Sequence, residues 1–439
     1  MLLYLDNIRG FSNQVIDLND VNFLVGENST GKSTVLSILH FFSEPSYESF
    51  TDFKSKFVDF GPYNEIISDS RSGKSYFQIG FYSHGKGSLS SFSGHFLLRY
   101  IETDGFPLVD RIIWLDKNTL IKLEKVEDIV TIGYVENVSP ILNNNDFLFL
   151  DQIKIPLKNQ IKIDVTDFVI SGNELSLDSF TDLYLSEIFV KLPAAIKQKC
   201  RYFFNLGIKT LIPETLWIDP IRSKPQRVYE PQKLTYSSEG VHIPSLLKEL
   251  LIDSNTSRTK KIIQKIEFFG RHTGMFEKII IDQYRKTKHA PFSINVKLKG
   301  KTHKITNVGY GVSQILPILT EVIRREEGIF LIQQPEVHLH PKSQAFFGEF
   351  IFNEFLEGKK RFLIETHSDF IIDRFRAELR RKQNKKLIQK TNILFFERLN
   401  GLNKVTKIDL DDNADYSENQ PKAFREFFLK EQMLNLGME

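Results

Sequence analysis

The chain has 439 residues, 41% apolar and 26% charged, which is ordinary for a globular protein and long enough to bury a large core in two or three lobes. A net charge of +3 selects no partner by itself, and the single cysteine, Cys200, excludes an intrachain disulfide or a multi-cysteine zinc site and fits a reducing cytoplasm. No apolar run approaches the ~18–20 residues that cross a bilayer, and Met1–Leu5, followed at once by Asp6, is too short for a signal peptide, so a cytoplasmic protein without a membrane partner is expected.

Leu2–Ile8 and Gln14–Leu18 read as short strands around Gly10, and Val21–Val25 as a third. The third leads into Gly26-Glu27-Asn28-Ser29-Thr30-Gly31-Lys32-Ser33-Thr34, after which apolar periodicity predicts a helix to Phe42. Strand, glycine loop and helix is the setting in which G-x-x-x-x-G-K-[ST] is a phosphate loop. Glycines let the backbone curl so that successive N–H groups face phosphate oxygens, and the helix N-terminus adds its partial positive charge. Lys32 then reaches the β- and γ-phosphates and the Ser33 hydroxyl meets Mg²⁺, so ATP and Mg²⁺ are the expected cofactors.

Residues 53–72 are irregular, punctuated by Gly61-Pro62. From Ser75 to Glu136 the period changes to two. Strands over Tyr76–Tyr82, Phe96–Ile101, Val109–Leu115, Leu120–Glu124 and Ile129–Val135 predict an antiparallel meander. Residues 137–180 show no clear pattern, Phe180–Leu206 has helical spacing, and Glu214–Ile218 reads as a strand before a turn at Asp219-Pro220-Ile221-Arg222. Ser245–Ile252, with Pro244 at its start, and Thr259–Phe269 predict helices, and Phe292–Lys299 a strand. Residues 258–304 hold thirteen Lys or Arg against three acidic residues, either a solvated face or a nucleic-acid path, and Arg380–Lys386 leaves the same two readings. The expected segments are 1–72 and 305–439 for the two parts of the nucleotide-binding head, 73–180 for the β insert and 181–304 for a helical, basic lobe.

Three later stretches complete the pattern. Gly309-Tyr310-Gly311-Val312-Ser313-Gln314 is a glycine loop whose serine opens a helix, a second phosphate-binding device. Ile329–Ile332 is an apolar strand ending in Gln333-Gln334-Pro335-Glu336-Val337-His338-Leu339-His340-Pro341, the layout of a Walker B strand. Phe362-Leu363-Ile364-Glu365-Thr366-His367 is another apolar strand, ending in a histidine. In this order the motifs resemble the SMC/RecF/OLD-like branch of ABC-type ATPase heads. They look most like bacterial AAA-family ATPases with an L-I-E-Q/E-P-E-x-H-L-H-P Walker B, among them the ATPase subunits of Septu anti-phage systems.

The resemblance covers residues 1–45 and about 211–425, and Asp219–Tyr229 is similar to a segment of these proteins. It implies an α/β fold: an ABC-ATPase head with a mixed nucleotide-binding sheet, an antiparallel β-meander and a helical lobe. It also implies that Gly309, Gly311, Ser313 and Gln314 stand where the signature of one head caps the γ-phosphate held by another, giving a homo-oligomer of head-to-head dimers. His367 stands at the switch histidine and Leu339-His340-Pro341 at the D-loop; no convincing Q-loop glutamine is present. His338 and His340 have no third metal ligand nearby. Arg222 and Arg227 read as lobe packing or salt bridges ahead of catalytic fingers.

One departure bears on activity. The class expects an acid at Gln333 to hold Mg²⁺ and a Glu at Gln334 to activate water; an amide accepts hydrogen bonds but neither takes a proton nor neutralises a cation. Glu336 and Glu365 are the carboxylates where a base would be sought. The expectation is therefore ATP binding with weak or absent hydrolysis in a defence ATPase that controls a small HNH nuclease subunit, with DNA or RNA as a further partner. A RecF-like DNA-binding ATPase of recombination or repair is the alternative. A nuclease of the OLD type is disfavoured: only about 70 residues follow His367, and no glutamate-bearing α/β unit precedes Asp409-Leu410-Asp411.

Overall fold

The computed structural model describes residues 1–44, 53–68, 73–84, 93–116, 119–126, 129–136, 158–164, 194, 197, 212–231, 234–253, 256–285, 287, 289–417 and 420–424. The helical spacing over Phe180–Leu206 and most of residues 137–180 lie outside them. The chain packs as two units and passes between them several times: Met1–Asn19, Glu27–Thr215 and Phe396–Lys407 form the first, and Asp20–Gly26, Leu216–Phe395 and Ile408–Glu439 the second.

The first unit carries an eight-stranded sheet in the order β2–β1–β4–β5–β6–β7–β8–β9. Its strands are β1 Leu2–Asp6, β2 Gln14–Asp17, β4 Tyr76–His84, β5 Ser93–Thr103, β6 Phe106–Asp116, β7 Thr119–Val126, β8 Ile129–Glu136 and β9 Lys158–Asp164, and each pairing is antiparallel. The meander expected from period-two alternation is present with longer strands, and β1 joins it, with Leu3 opposite Phe81. Asp104 and Gly105, at φ 51° and 84°, close the β5–β6 hairpin in the left-handed geometry that matches strand twist. Aromatic rings fill the core: Phe77 stacks on Tyr100 with centroids 4.8 Å apart, and Phe42 meets Phe81 edge-on at 5.2 Å. Phe42 directly follows helix α1, Lys32–Phe41, so these contacts fix the phosphate-loop helix to the meander.

A six-stranded mixed sheet has the order β10–β14–β15–β3–β16–β17, from Thr215–Ile218, Gly328–Gln333, Lys360–Glu365, Val21–Gly26, Thr391–Leu399 and Leu402–Ile408. β14, β15 and β3 run parallel, with Gln333 opposite Glu365 and Glu365 opposite Leu24. Their runs Ile329–Ile332, Phe362–Ile364 and Val21–Val25 are buried throughout, as strands covered on both faces must be. Of the helices α5 Gly311–Arg324, α6 Pro341–Leu356 and α7 Asp369–Lys382, the last two approach so closely that a Cβ on Gly348 would lie 2.2 Å from the Ile371 carbonyl oxygen. Phe375 of α7 meets Phe23 of β3 edge-on at 5.1 Å.

Residues 212–304 hold more strand than the sequence pattern indicates. β11 Lys278–Gln283, β12 Phe292–Leu298 and β13 Lys301–Lys304 form an antiparallel sheet. The helix expected over Ser245–Ile252 is α3 Ile243–Lys248 followed by a π-helical turn, Glu249–Asp253. The one over Thr259–Phe269 extends as α4, Ser257–Thr273, through a reciprocal cap between Thr256 and Thr259, and stops at left-handed Gly274. Short helices α2 Tyr63–Ile66 and α8 Lys385–Gln389 and a 3-10 turn, Ile305–Asn307, complete the described elements.

Candidate nucleotide site

β3 ends at Gly26, and the loop Glu27–Gly31 turns the chain into α1. Two positions force its shape. Gly31 has φ 94°, and a Cβ there would lie 2.4 Å from the Phe11 ring, so only glycine fits; Ser29 is left-handed at φ 61°. Thr30 is buried, and its hydroxyl donates to the Glu27 carbonyl at 2.8 Å. The Lys32 side chain folds back over the loop, with Nζ donating to the same carbonyl at 2.6 Å. Glu27, Asn28, Ser29 and Ser33 are exposed and Thr34 partly so. α1 has no side-chain cap and no acidic residue in its first turn, which leaves the positive end of the helix to an incoming anion. The loop therefore fits a phosphate group: close backbone approach, an unopposed helix N-terminus, a cation already at the loop and a hydroxyl beside it.

The second unit brings together the ends of β14 and β15. Gln333 is buried, and its Nε2 donates to Glu365 Oε2 at 3.3 Å. Gln334 is left-handed at φ 41°, with its N–H on the Glu365 carbonyl at 2.8 Å. Glu336 is half-buried and accepts from Thr366 Oγ1 at 2.8 Å and from the backbone N–H of His367 at 2.7 Å. This carboxylate thereby fixes the Thr366–His367 segment to the turn after β14. Ser368 then caps α7, accepting from Ile371 N–H at 3.3 Å.

Gly309 and Tyr310 are exposed, and Gly311 opens α5. A Cβ on Gly311 would meet the His338 carbonyl oxygen at 2.5 Å, so the backbone at His338 packs directly on the start of α5. Tyr310 and His338 meet edge-on at 4.9 Å. Ser313 is mostly buried and donates to the Tyr310 carbonyl at 2.8 Å. Gln314 is 2% exposed and bonds the backbone of Arg222 through both ends of its amide, so its side chain faces the interior. His340 caps α6 through Nδ1, which accepts from Lys342 N–H. Among the described residues no group of three or more His, Cys, Asp or Glu side chains is placed to hold a metal ion.

Arg222, read from sequence as packing, is fully buried, and its Nη2 donates to the carbonyls of Gln333 at 3.0 Å and Gln334 at 3.3 Å. Burial pulls its pKa down to about 10, against the opposing charges of Glu336 and Asp219. At the far end of α5, burial opposes the charge of Glu321, yet hydrogen bonds from His242 and Arg324 hold its carboxyl down at about 2. The basic runs divide. Lys265 pairs with Glu354 and Glu357, Arg258 with Glu326, Arg380 with Asp415 and Lys385 with Asp412. Lys278, Lys297 and Lys304 instead share one face of the three-stranded sheet by register and have no carboxylate partner among the described residues.

A family model described as the AAA ATPase domain matches residues 1–177 and 212–372. The chain belongs to this family. Membership implies nucleotide binding, usually with Mg²⁺, and the architecture is α/β, with a mixed sheet, an antiparallel meander and helices. No curated protein matches the sequence. Among solved structures the chain is similar to an SMC head bound to the C-winged helix domain of ScpA, at 11% identity over 93% of this chain and 97% of that one, with a TM-score of 0.42. An SMC head from Thermotoga maritima (11%, 93% and 98%, 0.33) and one with an extended coiled coil bound to the C-terminal domain of ScpA from Pyrococcus furiosus (10%, 93% and 96%, 0.40) are also similar. Identities this low carry no residue assignments. Among the described residues no helix is long and apolar enough to cross a membrane.

Proposed function

We propose that this chain is the ATP-binding subunit of a Septu-type (PtuA-like) anti-phage complex, in which nucleotide state governs a small HNH nuclease subunit and hydrolysis is weak. The Septu-type reading is carried by the resemblance of the Pro335-Glu336-Val337-His338-Leu339-His340-Pro341 turn and the motif order, and the weak hydrolysis by the pair of amides, Gln333 and Gln334, in a chain whose phosphate loop is complete. In this reading Lys32 and the α1 N-terminus would hold phosphate and Ser33 would ligate Mg²⁺, which when bound neutralises phosphate charge; Gln333 stands where the class carries a metal-binding acid. Gln333 adds no negative charge there, so the metal depends on Ser33 and the phosphates for its hold. Gln334 would orient a water by hydrogen bonding without taking its proton, and His367, whose backbone N–H is fixed by Glu336, stands where the class carries its switch histidine. Long-lived ATP binding makes the nucleotide an assembly ligand, with Gly309, Gly311 and Ser313 of one head closing on the ATP of another. Purification of the complex from its native host tests the reading: a co-purifying HNH nuclease supports it, and replication or repair proteins in its place refute it.

A RecF-like DNA-binding ATPase is the second reading, for which the Lys278–Lys297–Lys304 face would be the DNA contact. Both readings place the protein in the cytoplasm and admit DNA or RNA at that face.

A further inference from the structure

Arg222 lies outside every phosphate-binding motif, yet it is among the largest fully buried side chains. β10 delivers it to a loop that is tied down on both flanks. The Asp219 carboxylate accepts from Trp217 Nε1 at 2.6 Å and from the Ser238 hydroxyl, and Ser223 N–H donates to the Glu239 carbonyl at 2.9 Å. From this loop the side chain and the backbone of Arg222 go to different partners. Guanidinium Nη2 bonds the carbonyls of Gln333 and Gln334. Its backbone N–H donates to Gln314 Oε1 at 3.3 Å, and its carbonyl accepts from Gln314 Nε2 at 3.4 Å. One residue thus ties the end of the Walker B strand to the first turn of the signature helix.

Stability does not explain an arginine here. Nε and Nη1 are buried without a protein hydrogen-bond partner, and a desolvated cation with unused donors is destabilising relative to an apolar side chain of similar length. Geometry does explain it. Gln334 holds a left-handed backbone that its side chain does not favour, and its peptide is clamped from both directions: the N–H on Glu365 and the carbonyl on Arg222. An apolar residue fills the space but cannot hold two carbonyls. We propose that Arg222 is a positioning residue that locks the Gln333–Gln334 turn to the signature helix, so that the two segments shift together. The consequence for ATP rests on the proposed function; the mechanical link does not.

Hydrogen exchange of the full chain without nucleotide tests the link. Arg222→Met should speed exchange of the amides at 311–318 and at 334–339 by about tenfold, the order expected for losing one or two buried hydrogen bonds, and leave 278–298 unchanged. Gln314→Ala removes only the signature side, and should nevertheless speed 334–339. The double variant should exceed neither single, because both cut the same link. Exchange that rises only next to each substitution, or effects that simply multiply, would overturn the proposal. If Arg222→Met does not fold, Gln314→Ala decides alone: faster exchange at 334–339 supports the link and unchanged exchange refutes it. With nucleotide, Gln314→Ala should weaken ATP-dependent pairing about tenfold, the cost of leaving buried partners unpaired. A wild-type chain that binds no ATP would refute the proposed function and leave the exchange result standing.

Discussion

The phosphate loop and the Gln333–His367 segment are both strand ends that turn sharply, and they differ in what their side chains can do. The loop meets its chemical requirement at each position: Gly31 where no Cβ fits, Lys32 folded over the loop, Ser33 exposed at an uncapped helix start. The other segment keeps a tightly held backbone, with Gln334 clamped and His367 fixed through Glu336, but carries amides at its two leading positions. On the proposed reading, holding a nucleotide and turning it over are separable in this chain: backbone and cation would supply the first, and the second calls for a proton acceptor that neither amide provides.

The largest expected effect tests that separation. Gln334→Glu should raise ATP turnover by about 10²–10⁴, the usual contribution of a positioned general base, in a phosphate-release assay with Lys32→Ala as blank. A wild-type chain that hydrolyses ATP at several per second would break the comparison and move the search for a base to Glu336 or Glu365. On the binding side, Lys32→Ala should lower ATP affinity by about 10² or more, the loss of charge-assisted bonds to phosphate, measured by isothermal titration.

Acid should loosen the helix that leads into the second region, α5, which carries Glu321. The folded Glu321 carboxyl, at about 2, lies below its ordinary value, so its contribution is full above about pH 5 and disappears as pH falls through 2. That contribution is about 3 kcal/mol, roughly halved at pH 3. Urea unfolding across this range should show the slope, and Glu321→Gln should remove it. Gly311→Ala, which pushes a methyl against the His338 carbonyl, should destabilise by about 1–3 kcal/mol and lower the melting temperature without touching the phosphate loop. The smallest effect concerns nucleic acid. Charge reversal at Lys278, Lys297 and Lys304 should weaken DNA binding and flatten its salt dependence by about 0.9 per lost phosphate contact, read by fluorescence anisotropy. Binding that ignores salt would return the face to solvent.

Local rules fixed much of this in advance. Period-two alternation revealed the meander, and the glycine pattern between a strand and a helix revealed the phosphate loop, because both depend on neighbours in sequence. The β16–β17 hairpin turns at Asn400-Gly401, at φ 52° and 81°, a strong local turn signal, but the alternation around it is too weak to predict the flanking strands. β11 and β13 were not legible: their lysines mask the period, and pairing with β12 decides the strands. The sequence also named Gln314 and Arg222 as separate features, one for nucleotide and one for packing, although they are hydrogen-bonded to each other. Ninety-two residues separate them, and only the fold brings them together. The same holds for the lysines, which the sequence counts but cannot sort: tertiary pairing neutralises Lys265 against Glu354 and lines up Lys278, Lys297 and Lys304 on one face. Composition and spacing determine which groups a chain possesses. Which of them are desolvated, paired or aimed outward depends on contacts between distant segments, and those exist only once the chain has folded.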